Sequence, residues 1–115
     1  MEIITSRKNG YEILRIQEDL SAKSDLSLVK AKIREYLSRG KVNLALAFTA
    51  KSYFHTQTIS VLVQCIEMVH KRGGLLGIIN PNEEIRDILR TINLDKLVRI
   101  FASEDSIGSL PPEQG

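Results

Sequence analysis

The run Val42–Ile79, VNLALAFTAKSYFHTQTISVLVQCIEMVHKRGGLLGII, decides the fold. Its two ends, Val42–Phe48 and Leu75–Ile79, are short apolar segments, and the first loses all polar alternation after Asn43. Strands of that kind are covered on both faces and lie centrally in a sheet. Between them, Ile59, Leu62, Val63, Ile66 and Val69 recur at helical spacing. The spacing predicts a helix over Thr58–Lys71, ended by Gly73-Gly74. A strand, a helix and a strand with short connections form a parallel unit with a right-handed crossover. Just ahead of the helix, the aromatic pair Tyr53-Phe54 leads into His55-Thr56-Gln57-Thr58, which gathers imidazole, hydroxyl and amide groups. That cluster is either a cap, a catalytic site or a switch.

Outward from this unit, Met1–Ser6 and Tyr11–Ile16 read as strands. They flank Lys8-Asn9-Gly10, a hairpin turn in which Asn-Gly accepts positive φ. Ser24 and Asp25 open a first helix carrying Leu26, Val29, Ile33, Tyr36 and Leu37 on one stripe, and Gly40 ends it. Asn80-Pro81-Asn82-Glu83 is a further helix start, with Asn80 as cap and Glu83 completing a capping box. Ile85, Ile88, Leu89 and Ile92 form the buried stripe of that helix, and Asn93 is a left-handed stop. Leu97–Phe101 is a last short strand, and Ser103 opens a final short helix through Leu110. The order is β-β-α-β-α-β-α-β-α: an α/β domain over residues 1–110, with a mixed, mostly parallel sheet, an N-terminal antiparallel hairpin and a disordered tail at 111–115.

The chain has 115 residues and a formal net charge of +2, which suits one domain and gives no footprint for a nucleic-acid or membrane-surface binder. Cys65 is the only cysteine, and His55 and His70 are the only histidines. An internal disulfide is therefore impossible, and a structural zinc site is disfavoured. No apolar run reaches the roughly 20 residues that span a bilayer. The N-terminus lacks the pattern of a signal peptide, so a reduced, cytoplasmic setting is expected.

Catalytic patterns are sparse. Neither a dinucleotide-binding fingerprint nor a P-loop occurs. Cys65 lies within the apolar run and reads as a buried structural thiol. His55-Thr56 places a base beside a hydroxyl in sequence, which allows a small hydrolase as one reading, though no third group is identifiable. Of the carboxylate pairs, Glu83-Glu84 and Glu104-Asp105 fall in first turns of helices, and Glu18-Asp19 falls in a loop. Thr56 and Thr58 are candidate caps. Val61, Cys65 and Met68 form a second stripe on the same helix. It is either a wide buried face or a partner-docking surface beside Thr56.

The layout from Val42 to Phe101 resembles the STAS domain (sulfate transporter and anti-sigma factor antagonist), and in length the free-standing bacterial anti-sigma factor antagonists. Tyr53-Phe54 resembles the family's residue pair before the helix, and Ile59-Ser60-Val61-Leu62 the helix start. Lys71-Arg72-Gly73-Gly74-Leu75-Leu76 resembles the turn into the next strand, and Asn80-Pro81 and Ile88-Leu89 to Leu94 the remainder. Where the family has Asp-Ser-Ser-Gly, this chain has His55-Thr56-Gln57-Thr58, so Thr56 keeps the acceptor hydroxyl at the phosphorylated position. Ala47 replaces a common Asp, and Glu18 a frequent Gly. The resemblance implies a STAS-like fold and a regulatory binding protein without enzymatic activity or cofactor, monomeric or weakly dimeric. Its partner would be an anti-sigma factor that is also a serine/threonine kinase. Docking would use His55, Thr56, Gln57, Thr58, Val61, Cys65 and Met68, and phosphate on Thr56 would release the partner. A STAS-like scaffold in a signalling or transport complex, without phosphorylation, is the alternative.

Overall fold

Asn9 and Gly10 both take positive φ, 50° and 87°, in the computed structural model of the chain, which describes residues 1–107. Two positive values in succession give a hairpin turn whose twist matches that of paired strands. It joins β1 (Ile3–Lys8) to β2 (Tyr11–Ile16) in antiparallel register, Lys8 opposite Tyr11 and Ile3 opposite Ile16. β3 (Asn43–Ala47), β4 (Leu75–Ile79) and β5 (Arg99–Phe101) then add in chain order and in parallel, giving the sheet order β1-β2-β3-β4-β5. The crossovers are α1 (Ser27–Ser38), α2 (Thr56–Lys71) and α3 (Glu83–Thr91).

Strands added in one direction by crossovers of one hand place every helix on the same face. The main core accordingly joins Leu14, Ile16, Leu44, Leu46, Leu76 and Ile78 of the sheet to Val29, Ile33 and Leu37 of α1, to five α2 residues, and to Ile85 and Leu89 of α3. The opposite face is covered by a smaller cluster: Ile13, Ala45, Ile79, Phe101 and Ile107. Ile107 reaches that face because the chain after β5 turns back across the sheet. Glu104 pairs with Arg15, Lys8 with Asp105, and the Asn9 amide donates to the Ile107 carbonyl at 2.8 Å. Both faces of the central strands are thus covered, as their apolar character requires.

Several boundaries differ from the sequence reading. β1 runs two residues later, to Lys8, because the tight turn lets pairing continue to its edge. α1 starts at Ser27, not at Ser24. The Ser24 hydroxyl is taken by the Ser21 N–H at 2.9 Å, and Asp25 instead accepts from the Ser27 N–H at 2.9 Å and the Ser27 hydroxyl at 2.7 Å. The cap of α3 is Asn82 and not Asn80, which takes φ 43° as β4 ends. Asn93 is left-handed at φ 62°, as expected, but leads into a 3-10 turn over Leu94–Lys96 that shortens the last strand to Arg99–Phe101. In place of a final helix from Ser103, the described residues show a single 3-10 turn, Glu104–Ser106, closed by a Ser103–Ser106 capping box. The proposed continuation to Leu110 and the tail 111–115 lie outside the described residues.

The Gly73-Gly74 stop is a Schellman motif: Gly73 N–H donates to His70 O at 2.9 Å and Gly74 N–H to Val69 O at 3.1 Å. Gly74 has a further constraint. A Cβ on it would lie 1.9 Å from the Val42 carbonyl oxygen, where the chain enters β3. Helix exit and strand entry touch through bare backbone. Gly74→Ala is therefore expected to cost about 1–3 kcal/mol, read as a lowered midpoint in urea unfolding at unchanged slope.

Candidate functional site

Three loops converge at the C-terminal ends of β2, β3 and β4, where open α/β sheets place their ligand sites. The loop after β3 carries the polar cluster. Ser52 within it is 0 % exposed, and its hydroxyl accepts from Leu20 N–H at 2.9 Å and bonds the Thr49 hydroxyl at 2.8 Å. Tyr53 N–H returns a bond to Leu20 O at 3.1 Å. Phe54 is buried against Phe48, edge to face, with ring centroids 5.0 Å apart. Tyr53 remains half-exposed, edge-on to His55 at 4.8 Å.

α2 therefore begins two residues earlier than its apolar spacing suggests. His55 occupies the N-cap position with extended backbone, φ −95° and ψ 173°, but its ring makes no capping bond. Neither Thr56 nor Thr58 is a cap. Thr56 is the first helical residue and is exposed, as is Gln57. Thr58 is 1 % exposed, and its Oγ1 has no hydrogen-bond partner. The opening turn thus presents its backbone N–H groups without a side-chain acceptor, and with the positive end of a 16-residue helix behind them.

Beside this turn lies a groove of about 420 Å³. One wall is Tyr53, Phe54, His55, Thr56 and Ile59, and the other is Asp87, Ile88 and Thr91 of α3 with Ile92 at its C-cap. The sequence reading had assigned Ile88 and Ile92 to a buried stripe. Ile85 and Leu89 are buried, whereas Ile88 is half-exposed and Ile92 is 40 % exposed on the groove. These α3 residues, and the buried Ser52, were missed as parts of the site. The legible signal was an apolar stripe of four residues, Ile85, Ile88, Leu89 and Ile92, of which only Ile85 and Leu89 are fully buried.

The second α2 stripe goes the other way. Val61 and Cys65 are 6 % and 1 % exposed and belong to the main core with α1, so they are removed from the expected docking surface. Met68 is half-buried against the same core. An amphipathic helix wedged between the sheet and a neighbouring helix must bury two stripes. Thr58 is likewise withdrawn from solvent. Of the seven expected docking residues, His55, Thr56 and Gln57 are left at the surface of the site. Burial pushes the Cys65 thiol up to about 11, against the opposing pull of Lys30 and Arg34 on α1.

No hydrogen bond joins the His55 ring to the Thr56 hydroxyl among the described residues, and no group of three or more His, Cys, Asp or Glu there could hold a metal ion. No helix among them is long and apolar enough to cross a membrane.

The profile of the STAS domain family matches residues 2–107. The chain belongs to the STAS domain family. Among its relatives, a Thermotoga maritima protein provisionally named an anti-sigma factor antagonist is 25% identical over 67 residues, which is 58% of this chain and 59% of that protein. A Thermotoga neapolitana homologue is 27% identical over the same share. The match spans about three-fifths of the length of these curated relatives. The fold extends further than the sequence likeness. The Thermotoga maritima crystal structure superposes with TM-score 0.80 at 20% identity, covering 93% of this chain and 92% of that one. The phosphorylated form of the Bacillus cell fate determinant SpoIIAA gives TM-score 0.71 at 14% identity, covering 94% and 98%. The α/β fold with an antiparallel β1–β2 pair and parallel strands thereafter is the STAS fold.

Two outcomes are expected. His55→Asp should raise unfolding free energy by about 1 kcal/mol, because a carboxylate at this extended N-cap position can accept from the first-turn amides; an unchanged urea midpoint would contradict the uncapped geometry. Cys65 holds its proton more tightly folded than unfolded, so above pH 9 the native state binds more protons than the unfolded one. Stability is expected to fall by about 2 kcal/mol as pH rises from about 9 to about 11, and Cys65→Ser should flatten that slope. Denaturant titrations at stepped pH measure both.

Proposed function

We propose that this STAS domain is an anti-sigma factor antagonist. It docks on an anti-sigma factor with serine/threonine kinase activity through the groove and the mouth of α2, and phosphate transferred to Thr56 ends the docking. The observation that carries this reading is the position of Thr56. It is exposed, first in an uncapped helix, and on the lip of an apolar groove. The named relatives and the solved SpoIIAA structures, one phosphorylated and one not, point to the same class.

The physics of the switch is differential. A phosphate adds a charge of about −1.5 to −2. On the free domain it meets unpaired N–H groups and the positive helix end, an environment suited to anions. In a packed interface the same charge must lose its water. A net penalty of roughly 3 kcal/mol weakens binding by about two orders of magnitude. The hydrolase reading lacks this support, since the His55 ring lies against Tyr53 and not on the Thr56 hydroxyl.

Incubation with the purified kinase and ATP, followed by mass spectrometry, should place one phosphate on Thr56. Thr56→Glu should weaken kinase binding about a hundredfold by titration calorimetry while leaving the melting temperature unchanged or slightly raised. Kinase binding without any modification of Thr56 would favour a scaffold that does not use phosphorylation.

A further inference from the structure

One side chain ties the loop that leads into α2 to the start of α3. Asn82 caps α3, its Oδ1 accepting from Ile85 N–H at 2.8 Å. A cap uses only that oxygen. The amide nitrogen turns the other way and donates to Ala50 O at 3.0 Å and to Ser52 O at 2.8 Å, 32 and 30 residues earlier. Those carbonyls belong to the loop that delivers His55 and Thr56. The same loop is held from its other side by Leu20, which donates to the Ser52 hydroxyl and accepts from Tyr53 N–H. The loop is thus clamped between the segment after β2 and the start of α3.

Capping alone does not call for asparagine here. Asp or Ser would serve the α3 amide as well. Only a carboxamide supplies one acceptor and two donors at this reach.

We propose that Asn82 is a positioning residue for the docking face: its Nδ2 fixes the Ala50–His55 loop, and with it Thr56, against α3. The role rests on the docking function proposed above. It separates the two duties of one side chain, the oxygen serving the helix and the nitrogen serving the site.

Two variants test it. Asn82→Asp keeps the acceptor for Ile85 and sets a carboxylate oxygen against two carbonyls. Asn82→Ser keeps a cap but lacks both the reach and the repulsion. In each, backbone amide NMR should show shifted resonances for Ser52–Thr56 and hydrogen exchange there faster by about tenfold or more, with Ile85–Thr91 as protected as in the parent chain. Affinity for the anti-sigma factor kinase should fall about tenfold. A purely structural cap would move neither the loop resonances nor the affinity. Parental loop shifts and exchange in both variants would overturn the proposal, and so would a loosened loop with undiminished affinity. If the parent chain binds no kinase while the variants loosen the loop as expected, the clamp is supported and the docking function fails separately.

Discussion

The buried hydroxyl of Ser52 is the point to which the candidate site is tied. Loops at the ends of parallel strands bring backbone N–H and C=O groups under the surface, and each needs a partner. Here the partners are few and specific: Ser52 with Leu20 and Thr49, Tyr53 with Leu20, and Asn82 with Ala50 and Ser52. Together these bonds hold the β3–α2 loop in one course. That course sends Phe54 into the core, leaves Tyr53 and His55 outside, and starts α2 at Thr56.

The consequence is a helix that begins without a side-chain cap. Most helices of this length satisfy their first amides with Ser, Thr, Asp or Asn at the N-cap. Here the N-cap is a histidine occupied with a tyrosine ring, and the threonine that could have capped is displaced by one residue onto the first turn. Stability is lost locally, and an anion-receptive end is gained at the surface. Thr56 itself stays outside the core, which Phe54 enters just before the helix and Leu62, Cys65, Ile66 and Val69 enter further along α2. A change of charge at Thr56 is thereby separated from the packing that holds the fold.

Much of the fold was legible because it rests on strong local signals. The Asn9-Gly10 turn, the apolar runs of β3 and β4, the helical spacing of α2 and the left-handed Asn93 each follow from one residue type doing what its backbone allows. The site was legible only in part. Thr56 could be placed from its likeness to a family motif, but its exposure depends on where α2 starts. That start follows from the loop held at Ser52, whose hydroxyl accepts from Leu20 N–H 32 residues away and whose carbonyl accepts from Asn82 30 residues away. Spacing could not separate the buried stripe of Val61 and Cys65 from a docking stripe, because α1 covers it through the tertiary fold alone. Asn82 was hidden behind Asn80 and Pro81, which carry the stronger local cap signal. The long-range donors of Asn82 decide the matter in three dimensions.

The proposed switch at the uncapped start of α2 is most directly tested by placing phosphothreonine itself at position 56 by semisynthesis and comparing urea unfolding of the two forms of the isolated domain. Accommodation of the dianion by the free first-turn amides predicts an unfolding free energy equal to that of the unmodified chain or higher by up to about 1 kcal/mol. A loss of more than about 1 kcal/mol would contradict it, because the charge would then be an injury to the fold and not a signal written on its surface.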